Sequence, residues 1–413
     1  MGVLFFTNGA LFANILPRYP EIKADLELTN AAFGFAVAAF PLGALIAGLT
    51  AGVLVRRFRS SRVAIAATVL TAIGIFLAGV APVWVALAAG LFLAGAMDSI
   101  TDVAQNSHGL RVQRLYHRSI LNSFHAVWSV GAVCGGILGA LAAQLAIPLS
   151  THLTASAVLF SLMAVVAYRL LLDGPEPSEV TSFPAPESSR PKAVGRTMGS
   201  LAKYAVLAAL VLIAASGAVV EDAGSSWSAI YLSNSLGASA FVAGLGFIAL
   251  QGMQFVGRIF GDRLVDRFGQ RAVARTGGVI VFVGMGVALI FPTIVGTVIG
   301  LGLAGLGVAT LIPAAMHAAN ELPGFKPGTG LTIVSWLLRV GFLLSPPLVG
   351  AIADASSLRF GLLIVPAAGL LVVLFSPVLT KVLQQPRSTR AADPDQHPAQ
   401  AVNDLPPQTH PQA

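Results

Sequence analysis

Long, uninterrupted runs of apolar residues are the feature that most limits the fold of this 413-residue chain. A helix that crosses the roughly 30 Å hydrocarbon layer of a bilayer needs about 20 consecutive apolar residues. The chain supplies twelve such runs, separated by short breaks that carry charge, Pro or Gly. The runs cover approximately residues 2–16, 30–54, 63–81, 83–104, 120–146, 148–172, 204–229, 239–261, 272–291, 294–317, 329–352 and 358–382.

The form of these runs predicts an all-α membrane protein. Hydrophobic side chains make up 55% of the chain, which is more apolar surface than a soluble core needs. The runs are continuously apolar, whereas the strands of a membrane barrel alternate between apolar and polar residues. We therefore expect twelve transmembrane helices in the lipid bilayer.

The positive charges are distributed unevenly between the loops. Of the 25 Lys and Arg residues, 21 lie near the ends of even-numbered runs, in the loops that follow them or at the start of the next run, Arg258 at the end of the eighth run among them. Only three lie in the loops after odd-numbered runs or at the edge of the next run, and Arg339 lies well inside the eleventh run. Lys and Arg are retained on the cytosolic side of a membrane protein. This pattern predicts that both termini are cytosolic. The net charge of +7 therefore reflects topology and does not indicate binding to nucleic acid.

The first run is short, because residues 2–16 reach only about 22 Å at 1.5 Å per residue. It also lacks the preceding basic segment of a cleavable signal peptide. We expect the natural start to lie upstream of Met1.

Two polar segments divide the chain. Residues 173–203 and 384–413 are rich in Pro and polar residues, a composition typical of flexible or disordered chain. Six apolar runs precede the first segment and six follow it. The predicted organisation is a first bundle at residues 1–172, a cytosolic linker at 173–203, a second bundle at 204–383 and a cytosolic tail at 384–413.

The two halves carry a weak repeat. A shift of 210 residues aligns Leu54-Val-Arg-Arg-Phe-Arg59 with Leu264-Val-Asp-Arg-Phe-Gly269, and it places Gly131 on Gly341. This internal repeat predicts two structurally related bundles of six helices.

The charged stretch at residues 261–271, GDRLVDRFGQR, resembles the loop motif G-x-L-x-D-R-x-G-R-R of the major facilitator superfamily. The first copy, GVLVRRFRSSR at 52–62, has Arg56 and Arg59 where the motif has Asp and Gly. Residues 102–106, 122–131 and 221–232 look like a bacterial subfamily distantly similar to fucose permease. The resemblance implies a transporter of the bacterial cytoplasmic membrane, in which two six-helix bundles alternate access to one central site.

The motif residues are candidates for a cytosolic gate. An Asp at a helix start is favoured by the helix dipole, and nearby arginines can bond carboxylates and helix ends. The alternative is that these charges are only topology signals, which we favour for Arg263 and Arg275. The candidate gate residues are Asp266, Arg267, Gly269, Arg271, Arg57 and Arg62.

Three ionisable residues lie at membrane depth in the second half, where charge is costly and marks an ion or substrate path. Arg339 is about ten residues into its run and is a candidate partner for a substrate or a carboxylate, or for a structural ion pair. Glu221 is the favoured proton carrier, because a carboxylate exposed alternately to both sides can load and release a proton. We expect Asp222 to face the outer mouth, since neighbouring helical positions point about 100° apart.

Four more candidates for substrate binding or proton coupling lie in the first half. Asp98 and Asp102 share one helix face at i, i+4 spacing. Asp102 is expected at the cytosolic end, where it could pair with a gate arginine, and Asp98 could gate or couple. His125 and Trp128 face one side of the fifth run, as members of a proton relay or as packing residues. We interpret Trp227 as a residue of the interfacial aromatic belt.

The sequence therefore favours a proton-coupled secondary transporter for a small solute, with sugar-like uptake preferred. The alternatives are export of amphiphilic compounds by proton antiport and, more distantly, a membrane receptor that transports nothing. The chain shows no G-x-x-x-x-G-K-[ST], H-E-x-x-H or G-x-S-x-G motif, so we do not expect an enzyme. Its single Cys134 excludes a thiolate cluster, and we expect no cofactor, no metal and a monomer.

Overall fold

The computed structural model describes residues 1–116, 120–172, 174, 200–325 and 328–379. Most of the predicted linker and the whole predicted tail lie outside these described residues. Within them the α-helices are α1 (Gly2–Ile15), α2 (Tyr19–Asp25), α3 (Asn30–Phe58), α4 (Ser60–Gly79), α5 (Trp84–Tyr116), α6 (Leu121–Gln144), α7 (Leu149–Tyr168), α8 (Ser200–Ile230), α9 (Ala240–Phe268), α10 (Gln270–Ile290), α11 (Ile294–Val308), α12 (Leu311–Asn320), α13 (Thr329–Ala355), α14 (Leu358–Gly361) and α15 (Ile364–Phe375).

The predicted all-α membrane fold is confirmed. Among the described residues, eleven helical segments are long and apolar enough to cross a bilayer. The helix α1 is shorter, at 14 residues, yet it packs against α6 as a twelfth member of the two bundles. A Cβ at Gly131 or Gly135 would overlap the α1 backbone, so these glycines allow α1 and α6 to approach closely.

Proline explains two interruptions in the predicted runs. Pro313 and Pro366 lack the N–H that would bond the carbonyl four residues earlier. The helix is therefore interrupted between α11 and α12 and between α14 and α15. By contrast, α13 continues without a break through Pro346 and Pro347.

The helix α5 ends at Tyr116, twelve residues beyond the predicted end of its run at 104. His108 anchors this polar extension. Its Nε2 accepts a hydrogen bond from the Leu172 backbone N–H at 3.1 Å, so its Nδ1 carries the proton and donates to Ser60 Oγ at 2.9 Å. The extension is therefore held against the start of α4 and the chain that follows α7.

We call the end of the bundles that carries the Arg-rich α3–α4 and α9–α10 connections the basic end, and the opposite end the far end. The two halves meet closely at the far end, where α3 crosses α13 and α6 crosses α9. A Cβ at Gly34 would overlap the Pro346 carbonyl, and one at Gly350 would overlap the Asn30 carbonyl. The backbones of the two halves therefore touch there.

Two helix N-termini at the far end are capped by side chains of the opposite half. The Asp354 carboxylate at the end of α13 accepts hydrogen bonds from the backbone N–H groups of Asn30 and Ala31, at 2.9 and 2.7 Å. Gln144 at the end of α6 accepts from the Phe241 N–H at 3.1 Å. Each cap satisfies donors that a helix leaves unpaired, and each joins the two halves.

At the basic end, all six candidate gate residues are exposed. The Arg57 guanidinium lies 5.6 Å from the ring centre of Phe58, and that of Arg267 lies 5.3 Å from the ring centre of Phe268. The two copies of the motif therefore adopt matching side-chain arrangements. The gate role of these residues stays a prediction.

Candidate functional site

A cavity of about 480 Å³ lies between the two halves. Phe12 of α1 and Phe40 of α3 line it from the first half. From the second half, α8 contributes Glu221 and Asp222, and α13 contributes Arg339. The structure therefore brings together the three candidates of the second half in a single cavity.

Glu221 is held by polar side chains of α9. Its Oε2 accepts a hydrogen bond from Gln254 Nε2 at 2.8 Å and lies 3.9 Å from Arg258 Nη2. Sequence reasoning assigned Arg258 to a basic loop and therefore missed this ion pair. The i, i+4 spacing of Gln254 and Arg258 is the signal that places both on one face of α9.

Asp222 also lines the cavity, so its expected position at the outer mouth is wrong. The hydroxyls of Ser226, on the same helix, and of Ser345, on α13, approach its carboxylate. Oδ2 of Asp222 and Oγ of Ser345 are nevertheless buried without a hydrogen bond of good geometry. Glu221 is thus held by an amide and a guanidinium, whereas the hydrogen-bonding groups that approach Asp222 among the described residues are hydroxyls.

Arg339 extends from α13 towards the first half. A Cβ at Gly48 of α3 would lie 4.0 Å from Nη1 of Arg339 and 3.1 Å from Ser99 Oγ. The Asp102 carboxylate of α5 interacts electrostatically with the same guanidinium. Arg339 is exposed and forms no hydrogen bond or ion pair with the described residues, so its donors are available to a solute.

The first half contributes a chain of three hydrogen-bonded side chains. Trp128 Nε1 donates to Asn8 Oδ1 at 2.6 Å, and Asn8 Nδ2 donates to Asp98 Oδ1 at 2.7 Å. An indole N–H can only donate and an ionised carboxylate can only accept, so the Asn8 amide has one consistent orientation. The network links the predicted residues Asp98 and Trp128 through Asn8.

Asp102 lies well inside α5, because this helix continues to Tyr116. Its carboxylate accepts a hydrogen bond from Asn106 Nδ2 at 2.8 Å and lies within electrostatic range of His125. Among the described residues, Asp102 forms no ion pair with Arg57 or Arg62, the gate arginines of the first half. His125 itself packs edge-on against Phe5, with ring centres 5.4 Å apart.

Trp227 is fully buried, so its interpretation as an interfacial belt residue is wrong. Its ring packs edge-on against Phe33 of α3 at 5.7 Å, and Phe33 packs against Tyr19 of α2 at 5.2 Å. This aromatic cluster joins the two halves near the far end. All three rings are at most 2% exposed, so the cluster is buried between the halves.

The cavity therefore combines two kinds of surface. Phe12, Phe40 and Phe342 form apolar walls, whereas Glu221, Asp222 and Arg339 supply acceptors and donors. Ligand sites commonly pair an apolar lining with a few placed polar groups. This arrangement suits a small solute that has hydroxyl or charged groups on one side and an apolar side.

The sequence matches the family model of the Major Facilitator Superfamily at residues 1–250 and 222–405. It is 30% identical over 375 residues to an uncharacterized transporter of Sinorhizobium fredii, which covers 91% of this chain and 96% of that protein. It is 28% identical to the membrane protein MosC of Rhizobium meliloti, over 90% of this chain and 87% of MosC. The enterobactin exporter EntS of Shigella flexneri is 28% identical over 159 residues, which is 38% of each chain.

Two solved structures share the fold at low sequence identity. The nucleoside transporter NupG has a TM-score of 0.69 and 12% identity, with 93% of this chain and 98% of NupG covered. A D-xylose-proton symporter has a TM-score of 0.63 and 16% identity, with 92% of this chain and 95% of the symporter covered.

Proposed function

Because the chain belongs to the major facilitator superfamily, we propose that it is a proton-coupled secondary transporter of a small polar solute, not an enzyme. The observation that carries the proposal is the cavity between the two halves, where Glu221, Asp222 and Arg339 meet three phenylalanines. Charged groups at membrane depth mark ion and substrate paths. The two bundles rock about this cavity and expose it to each side in turn.

The basic end faces the cytosol of a bacterial inner membrane in this proposal. The support is the distribution of Lys and Arg, which concentrates 21 of 25 basic residues on one side. The far-end caps and the aromatic cluster join the halves on the external side. The structure then corresponds to a state whose cavity opens to the cytosol.

Arg339 recognises the solute in this mechanism. Its guanidinium offers several N–H donors in a fixed plane, which suits hydroxyl or carboxylate oxygens. The phenylalanine rings contact the apolar side of the solute, as the apolar face of a sugar ring or a nucleobase requires. The D-xylose-proton symporter and the nucleoside transporter share the fold, which supports the proposal of a small polar solute.

The carboxylates of the cavity couple solute movement to protons. A carboxylate in a cavity that opens to one side at a time can take up a proton on one side and release it on the other. Glu221 responds to solute through Gln254 and Arg258, while Asp98 extends the polar surface into the first half. We favour uptake of solute with the inward proton gradient.

Export by proton antiport is the second candidate. The specific observation in its favour is the apolar part of the cavity, since Phe12, Phe40 and Phe342 also suit an amphiphilic compound. The partial similarity to an enterobactin exporter agrees with this alternative. The direction of proton movement on solute addition separates the two candidates.

The experiment measures proton movement in proteoliposomes that contain a pH-sensitive dye. Sugars, nucleosides and amphiphilic cations are added in turn to the native protein, Glu221→Gln and Arg339→Ala. We expect one class to drive proton flux, Glu221→Gln to lose that flux, and Arg339→Ala to raise the half-saturating solute concentration about tenfold, the equivalent of about 1.4 kcal/mol.

Asp262→Asn is the matched control, because Asp262 is an exposed carboxylate of α9 at the basic end. It should retain native proton flux. Solute movement without protons in the native protein contradicts the coupling, and the absence of movement for every class contradicts transport of these solutes.

A further inference from the structure

Oδ2 of Asp222 and Oγ of Ser345 are buried and lack a hydrogen bond of good geometry, although the two side chains approach each other. Ser345 is 1% exposed and belongs to α13, whereas Asp222 belongs to α8. A second hydroxyl, that of Ser226, approaches the same carboxylate. Buried polar atoms are almost always well paired in folded proteins, so these poorly paired oxygen atoms indicate a site for a ligand.

The charge around Asp222 is not balanced by a basic side chain. Glu221, the adjacent carboxylate, pairs with Arg258 and Gln254. The charged or titratable groups that interact with Asp222 are Glu221 on its own helix and the Tyr19 phenol on α2, and Arg339 of α13 lines the same cavity. Among the described residues, no Lys, Arg or His lies within ion-pair distance of Asp222. An unpaired carboxylate at this depth requires a cation or a proton.

The helix α13 supplies further oxygen atoms beside Ser345. Pro346 and Pro347 have no N–H, so the backbone carbonyls of Phe342 and Leu343 lose their usual helical donors. Phe342 lines the cavity together with Asp222. Carbonyls freed within a membrane helix commonly coordinate coupling ions, because they replace the water around the ion.

We propose that Asp222, Ser226 and Ser345 form a Na⁺ site, completed by the carbonyls that the two prolines of α13 free. Hard cations prefer oxygen ligands, and all the available groups are oxygens: one carboxylate, two hydroxyls and two carbonyls. The inference rests on the proposed function in one respect, because Asp222 lies in the cavity assigned to the solute. It adds a second cation to the transport cycle.

Na⁺ and a proton compete at this site, since each binds the same ionised carboxylate. The site spans α8 and α13, so an ion bound there joins two helices of the second half across the cavity wall. Occupation by Na⁺ therefore favours the arrangement in which Ser345 lies beside Asp222.

Trp227 gives a direct readout of binding, because it follows Ser226 in the sequence and is buried beside the site. Trp84, Trp128 and Trp336 are replaced by Phe, which leaves one indole. The purified protein is titrated with NaCl at pH 8, with choline chloride keeping the ionic strength constant. We expect a saturable fluorescence change for Na⁺ and none for choline.

Variants of the site identify its ligands. Asp222→Asn should abolish the saturable change, and Ser345→Ala should raise the apparent Kd about tenfold, which corresponds to about 1.4 kcal/mol. Asp262→Asn, which replaces an exposed carboxylate of α9 at the basic end, should retain the native Na⁺ response.

Two results overturn the Na⁺ site: a native protein that gives no saturable Na⁺ response, or an Asp222→Asn variant that keeps the native response. A variant is interpreted only if it elutes as a monodisperse species with a native melting temperature. If Na⁺ has no effect while solute still drives proton flux in proteoliposomes, the Na⁺ site fails and the proposed transport function stands.

Discussion

Asp354 offers the sharpest test of how the two halves hold together at the far end. Its carboxylate joins the end of α13 to the first turn of α3, through two backbone N–H groups and the Asn30 side-chain amide at 2.9 Å. These bonds exist only while the far end is closed, because they cross between the halves. Asp354→Ala should therefore shift the equilibrium towards the state that is open at the far end.

The size of this shift follows from the geometry and exposure of the cap. A negative charge at a helix N-terminus contributes about 0.3 to 1 kcal/mol, and its hydrogen bonds to backbone N–H groups add to this. Asp354 is exposed, so solvent screens the charge, and we take a total of about 1 kcal/mol. This value changes the ratio of the two states about fivefold at 25 °C. Asp354→Asn should give a smaller shift, since it keeps an acceptor oxygen without the charge.

Distances between spin labels report the two states. Labels at Val83 and Phe291 lie in exposed far-end connections of opposite halves, in a protein whose native Cys134 is replaced by Ser. Asp354→Ala should increase the population of long distances about fivefold relative to short ones. Asp25→Asn, another exposed far-end carboxylate, is the control and should match the native distribution. An unchanged distribution in Asp354→Ala, or an equal change in Asp25→Asn, would show that the Asp354 cap does not hold the far end closed.

Two further predictions concern backbone positions. Arg59 has φ 73° and ψ 141°, close to the φ 82° and ψ 152° of Gly269 at the matching motif position, in a region that favours glycine. Arg59→Gly should therefore stabilise the protein by about 1 kcal/mol, after the entropic cost of ordering a glycine is subtracted. Gly269→Arg should destabilise it. Melting temperatures in detergent measure both effects, and melting temperatures equal to that of the native protein would contradict them. Gly350→Ala should favour opening at the far end in the same spin-label assay, because the new Cβ would overlap the backbone of the opposite half. Gly286→Ala is the control and should leave the distances unchanged, since the nearest atom to its new Cβ belongs to Pro366, at 4.0 Å.

The helical architecture could be predicted from the sequence because the bilayer imposes the length of each apolar run. The same physics identified Glu221, Asp222 and Arg339, since charged side chains at membrane depth are costly and few. The polar extension of α5 could not be found in this way. Hydropathy marks only the part of a helix that lies in lipid, so the predicted end at 104 missed the last twelve residues of the helix.

Contacts between distant residues account for the remaining differences. Tryptophan is a residue type typical of the interfacial belt, but the partner of Trp227, Phe33, lies 194 positions earlier in the chain. Only the fold brings the two rings together. Arg258 lies three residues before the predicted end of its run at 261 and was counted with the basic loop that follows, whereas its pairing with Glu221 depends on how α8 and α9 pack. The periodicity of a single helix carries no information about which neighbour it faces.

Side-specific labelling of Ser335→Cys tests whether the cavity opens alternately to the two sides of the membrane. Ser335 lines the cavity, and replacement of Cys134 by Ser leaves this position as the single thiol. An impermeant maleimide is added from either side of oriented vesicles, with and without Asp354→Ala. We expect labelling from the basic end in the parent protein. In Asp354→Ala we expect labelling from the far end to increase and labelling from the basic end to decrease. Labelling from both sides at equal rates, or from one side regardless of the Asp354 substitution, would contradict alternating exposure of the cavity.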